Sequence, residues 1–303
     1  MTQRTRRDFL KVSAGSAGML VAAPALLDAV DAGRPTGYAG NDLVPLGRTG
    51  IRVSRLAQGT GFHGGRGSSD HTRMGQEAFE RLVRHSVDEG VTFMDMADSY
   101  GSHPYVAKAL RDVPRDKVVL STKLWPRPAE WITPSGGAKR EVDRFRSEMK
   151  TEHLDVCLIH LMRDAQWPTE FERIRDELSE LKESGDVGAV GVSCHDLGAL
   201  KVASTHPWVD VIFARINYKG GSENRCDGPA NEVAAVLKTA RRNGKAVVGM
   251  KIFGGGSLVT PEERDASLQF VLGSDLVDAM TIGMKSPTEV DDNLARMARV
   301  RAA

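Results

Sequence analysis

Short β-rich runs alternate with helix-periodic segments along nearly the whole chain, and this alternation constrains the fold more than any other feature. Arg55–Thr60, Thr92–Asp95, Val118–Lys123, Val156–His160, Gly188–Ser193, Val211–Arg215, Ala246–Lys251 and Ala279–Gly283 each read as a strand. Apolar residues at helical spacing follow each of them. Phe79, Leu82, Val83 and Val87 form one such stripe, stopped by Gly90. Phe171, Ile174, Leu178 and Leu181 form another, closed by Gly185. Asp196 stands where it can cap a helix, and Thr260-Pro261-Glu262-Glu263 has the form of a capping box. Eight strand–helix units in about 250 residues match a parallel (β/α)8 barrel in size. A doubly wound open sheet is the alternative. Nothing like GxGxxG follows the first strand, which weighs against its dinucleotide-binding form.

Composition narrows the function classes. The 41 Lys+Arg against 40 Asp+Glu leave a net charge of +1, which argues against a nucleic-acid binder. A charged fraction of 27% with 41% hydrophobic residues argues against disorder. Three Cys without a CxxC pair make no disulfide framework. The 31 Gly and 6% aromatics suit Gly-rich strand-to-helix loops better than an all-β sandwich.

Residues 1–32 read as an address rather than as fold. Thr5-Arg6-Arg7-Asp8-Phe9-Leu10-Lys11 precedes an uncharged stretch from Val12 to Leu27, with Ala23-Pro24-Ala25 and Val30-Asp31-Ala32 as candidate cleavage sites. The paired arginines followed by Phe-Leu-Lys look like a twin-arginine leader. That implies a partner in the twin-arginine export machinery and a periplasmic or extracytoplasmic destination. The apolar run falls short of the ~20 residues that a bilayer span needs, and no later segment has the required length and apolarity. The domain reading is a leader over 1–32 and one barrel over 33–303, with Thr133–Gly137 and Lys219–Gly228 as the loosest loops.

In such barrels the site lies at the C-terminal ends of the strands. Here those ends carry polar residues: Asp95 with Tyr100 five residues on, Lys123, His160, Ser193, Arg215 and Lys251. An ionisable residue closing an apolar strand is costly to bury without a partner. Asp95, Tyr100, Lys123 and His160 are expected to converge at one mouth. A tyrosine, with an ordinary pKa near ~10, can donate a proton, and an adjacent ammonium lowers that pKa. Asp95 can hold Lys123, and His160 can donate to a carbonyl oxygen. The set suits protonation of a carbonyl while hydride arrives at carbon. His63, His103 and His195 show no metal-ligand spacing, so no metal site is expected. Cys157 reads as core.

Asp95-Met96-Ala97-Asp98-Ser99-Tyr100-Gly101 resembles the Asp-x-Ala-x-x-Tyr-Gly element of aldo-keto reductases. The resemblance runs from Pro45-Leu46-Gly47-Arg48-Thr49-Gly50 to the last helix. Ser121-Thr122-Lys123, Leu158-Ile159-His160 and Gly191-Val192-Ser193 fall where that family has its Lys, His and Ser motifs. It implies a (β/α)8 barrel that binds NADP, or NAD, without a Rossmann fold and acts on a small carbonyl or alcohol substrate. Asp95, Tyr100, Lys123 and His160 match the catalytic tetrad, with Tyr100 as acid. Ser193 matches a residue that bonds the carboxamide. Lys285 and Ser286 fall in the region that contacts the adenosine 2′-phosphate, and Asp292 and Asn293 match the pair that holds the adenine. Cys194 stands for the usual Asn, Arg215 for Gln, and Met250, followed by Lys251, for an aromatic that stacks on the nicotinamide. Two rival readings are a non-catalytic nicotinamide-binding sensor or partner subunit on the same fold, and a Schiff-base aldolase using Lys123.

Overall fold

The computed structural model describes residues 37–127 and 137–302. The leader at 1–32 and most of the Thr133–Gly137 loop lie outside the described residues. An antiparallel hairpin comes first, with β1 (Leu43–Pro45) and β2 (Arg52–Ser54) in the register Val44↔Val53. The hairpin was not expected, because its three-residue strands lack the following helix that marks the equally short β4. Eight strands follow: β3 (Leu56–Gly59), β4 (Phe93–Asp95), β5 (Val119–Leu124), β6 (Leu154–Met162), β7 (Val187–Cys194), β8 (Val211–Arg215), β9 (Ala246–Met250) and β10 (Ala279–Ile282). Each pairs in parallel with its neighbours, and β10 closes onto β3, making the expected barrel.

Alternation along each strand divides its side chains between two cores. Ala57, Phe93, Val156, Leu158, Phe213 and Val248 fill the bore. Leu46 and Val53 of the hairpin are fully buried in that same cluster, so the hairpin stoppers the N-terminal end. The residues between them point outward under the helices, where Leu124, Cys157, Ile159, Val190 and Ile212 form the larger core.

The helices form where the apolar stripes lie. They include α1 (Asp70–Arg73), α2 (Gln76–Asp88), α3 (His103–Ala109), α4 (Ala138–Met149), α5 (Trp167–Glu170), α6 (Glu172–Glu183), α7 (Leu197–Thr205), α8 (Ala230–Arg242), α9 (Pro261–Gly273) and α10 (Pro287–Met297). Asp196 caps α7, its Oδ1 accepting the Ala199 N–H at 2.9 Å. Thr260 and Glu263 form the expected reciprocal box at the start of α9.

The segment Lys219–Gly228, expected to be loose, is closely bonded. Asn217 Oδ1 accepts the Lys219 and Gly220 N–H groups, both at 3.2 Å. Asp227 Oδ2 accepts the Arg215 N–H at 3.0 Å and anchors the far end. Polar composition marked this loop, but its polar groups are spent on the chain itself.

Candidate active site

Inward-facing residues at the upper ends of the strands bring the four expected groups together. Asp95 ends β4 and Lys123 lies near the end of β5, and both point into the bore. Lys123 Nζ donates to Asp95 Oδ1 and, at 2.8 Å, to Met96 O. Thr281 Oγ1, near the end of β10, donates to the other Asp95 oxygen at 2.9 Å. The ammonium lies 5.3 Å from the centre of the Tyr100 ring. His160 on β6 meets that ring edge to face, with centroids 5.6 Å apart, and Trp125 meets His160 on another side at 5.5 Å.

Tyr100 is carried by a short 3-10 turn, Asp98–Tyr100, directly after β4. Its ring is seated against Gly61 and Gly64 of the β3–α1 loop, so closely that a methyl group at Gly61 would overlap it. Gly101 follows at φ +64, where a side chain would also collide with Gly67 O. The turn is tied down from behind. Arg144 of α4 donates to Asp98 Oδ1 at 2.9 Å and also bonds Glu141 and Glu148. Glu148 Oε2 accepts from His103 Nδ1 at 2.8 Å, and His103 Nε2 lies 2.7 Å from Thr122 Oγ1, next to Lys123.

The electrostatics differ from expectation at one point. Burial, and then the Asp95 charge, push the Tyr100 phenol up from its ordinary value, where the nearby ammonium was expected to lower it. Asp95 takes up the Lys123 charge directly, so the phenol stays protonated and is a donor. Burial draws the Lys123 ammonium down, against the opposing pull of Asp95. Burial and the positive charges of Lys123, Lys251, Arg127 and Arg163 hold His160 well below the usual imidazole range, so it is neutral.

A cavity of about 270 Å³ opens beside Asp95 and Tyr100 and runs across the mouth to α10. Of the residues expected to hold a cofactor, Met250, Lys251, Lys285 and Asn293 line it. The others are not among its lining residues. Cys194 is fully buried in the outer core, because it follows inward-facing Ser193 and alternation turns it away. Ser193 is buried in the bore and its Oγ accepts the Leu161 N–H at 2.9 Å. Arg215 is claimed by buried Asp227, at 2.7 Å from Nε, and donates to His195 O at 2.6 Å. Burial pushes the Asp227 carboxyl up to about 7 despite this partner. Ser286 caps α10 through the Glu289 N–H, and Asp292 pairs with Arg296 at 2.8 Å. Phe62, Phe253, Gly255, Gly256, Arg264, Thr281 and Glu289 also line the cavity and were not expected. Only Thr281, polar in an apolar strand, and the glycine run carried a readable signal. His63 pairs with Asp70, and the His85–Asp291 contact at 2.7 Å lies on the outer helices.

Comparison with known proteins identifies the family and the fold. Residues 55–271 match the aldo/keto reductase family. The chain belongs to the aldo/keto reductase family. An aldo-keto reductase of Bacillus subtilis is 29% identical over 160 residues, covering 48% of this chain and 44% of that protein. A probable aldo-keto reductase of Glycine max is 30% identical over 155 residues, or 50% and 44% of the two chains. The aligned stretch thus spans under half the length of these two curated relatives. Among solved structures, an aldo-keto reductase from Pseudomonas aeruginosa superposes with a TM-score of 0.70 at 22% identity, covering 86% of this chain and 97% of that one. One from Klebsiella pneumoniae, solved with NADP and acetate, gives 0.61 at 18% identity, covering 89% and 92%. At these identities the likenesses establish the aldo/keto reductase barrel. Among the described residues, no helix is long and apolar enough to cross a membrane.

Proposed function

We propose that this aldo/keto reductase interconverts aldehydes or ketones and alcohols with NADP(H), or NAD(H), as hydride carrier. The observation that carries the reading is the Tyr100–Lys123–Asp95–His160 cluster at the cavity wall. The cavity also fits a dinucleotide in one respect independent of that cluster. Asn293 lines it and has a buried Oδ1 without a partner, an acceptor suited to the adenine amino group. Lys251 and Lys285 supply positive charge for phosphate along the way.

The reduced nicotinamide, when bound, supplies the hydride. Tyr100 gives its phenolic proton to the carbonyl oxygen. Lys123 stabilises the phenolate left behind, and Asp95 fixes Lys123. His160, neutral because of burial and its cationic neighbours, can donate an N–H to the same oxygen. Such acid catalysis contributes roughly 10²–10⁴-fold. NADPH oxidation with a panel of aldehydes and ketones tests the reading, and the absence of both turnover and nucleotide binding would overturn it. Tyr100→Phe should lose about that factor in turnover with nucleotide binding kept. Full activity in that variant would favour a binding-only protein instead. The binding-only reading rests on Cys194, Arg215 and Met250, but Cys194 is buried in the outer core and Arg215 is held by Asp227. For the aldolase reading, the Asp95–Lys123 ion pair opposes a neutral amine, and borohydride trapping at Lys123 would revive it.

The same proposal includes export of the folded protein by the twin-arginine route, motivated by the arrangement at Arg6-Arg7. Replacing Arg6 and Arg7 together by Lys should leave the protein in the cytoplasm. An unchanged distribution would remove the export reading. Protein from the exported fraction should carry bound nucleotide, since it folds around its cofactor before leaving.

A further inference from the structure

Glu289 is a negative charge on the wall of a cavity otherwise suited to phosphate. It shares that wall with Lys285, which precedes α10, and with Asn293, one turn further along the helix. Its Oε2 accepts the Lys285 N–H at 2.7 Å, and its own N–H goes to Ser286 Oγ at 3.2 Å. Pro287, the first residue of α10, has no N–H. The start of this helix, where backbone donors and the dipole would favour an anion, is therefore already served by the chain's own carboxylate. Lys285 is the cation nearest by sequence, and its charge is shared. Its Nζ lies 3.8 Å from Asp70 and sits over the Phe62 ring. Asn293, one turn beyond Glu289 on the same face, donates to Glu289 O at 2.7 Å and keeps its buried Oδ1 free for a base. On the dinucleotide reading, an adenine bonded to that Oδ1 would bring its ribose toward Glu289, one turn away on the same helix face.

We propose that Glu289 is a specificity-determining residue that opposes a phosphate on the adenosine 2′-oxygen, so that the protein separates NADPH from NADH only weakly despite Lys285. The inference rests on the dinucleotide reading above. A 2′-phosphate brings nearly two negative charges against the carboxylate, whereas a 2′-hydroxyl can donate a hydrogen bond to it. Glu289 is exposed, so the repulsion is screened by water and salt.

Fluorescence titration of the full chain with NADPH and with NADH tests this. The unsubstituted protein should bind the two within about tenfold of each other. Glu289→Gln, which keeps an acceptor for the Lys285 N–H, should tighten NADPH by about tenfold at low salt and shift NADH less than about twofold. That gain should shrink at high salt. Lys285→Gln, which leaves the helix cap intact, should weaken NADPH alone. An unchanged NADPH-to-NADH ratio in Glu289→Gln, or NADPH bound more than about a hundredfold tighter by the unsubstituted protein, would overturn the proposal and leave the dinucleotide reading standing. Binding of neither nucleotide by the unsubstituted protein would overturn both.

Discussion

Tyr100 is held as much by missing atoms as by bonds. Its ring fits against Gly61 and Gly64, and a single methyl group at Gly61 has nowhere to go. Gly61→Ala should therefore move the phenol by a fraction of an ångström to an ångström and cost turnover about 100-fold, with the melting temperature nearly unchanged. Turnover at the original rate would show that the ring position tolerates the shift. His160 bears on stability as well as chemistry. Its folded pKa lies well below the free value of 6.5, so below pH 6.5 the unfolded chain takes up a proton that the folded chain refuses. Its contribution is complete above that pH and falls as pH drops, by about 1 kcal/mol between pH 6.5 and 5.5. Unfolding measured across that window should be less pH-dependent in His160→Gln than in the unsubstituted protein. The four groups of the proposed site were legible in the sequence because each is an ionisable or phenolic residue at or just past an apolar strand's end. Cys194 and Arg215 were not, since a one-residue step reverses the face of a strand and an unforeseen partner, Asp227, lies twelve residues on.

At the scale of elements, the turn that carries Tyr100 depends on α4. Arg144 joins Asp98 to Glu141 and Glu148, and both Asp98 and Glu141 are almost fully buried. Arg144→Met takes the cation from these carboxylates and should cost about 3 kcal/mol of stability. Turnover should fall further than nucleotide binding, because the turn positions the acid and the cavity lies in front of it. Equal losses in both would mean that the helix supports the barrel generally. Every barrel strand was readable to within two residues at each end, because β-branched and apolar runs bounded by polar ends recur with helical stripes between them. The β1–β2 hairpin was not, since no helix follows its short strands to set them apart as the helix after β4 does. The Lys219–Gly228 loop looked loose because its polar residues, which bond inward, resemble residues that face water.

On the whole molecule, a ligand that binds only the folded barrel must raise its stability. NADPH at a hundred times its Kd should add about 2.7 kcal/mol, or roughly 5–10 °C in melting temperature for a chain of this size. A barrel that melts at the same temperature with and without saturating nucleotide would contradict the proposed function. The fold itself follows from eight repeated units that bury both faces of their strands by closing on each other beneath the helices. Closure makes a tube, and the hairpin turns that tube into a bottle. With Leu46 and Val53 packed into its base, the bore has one neck. On the proposed function, two reactants that both reach Tyr100 would share a single doorway. Whichever sits deeper would then arrive first and leave last, so that traffic at the neck would bear on turnover as the phenol does.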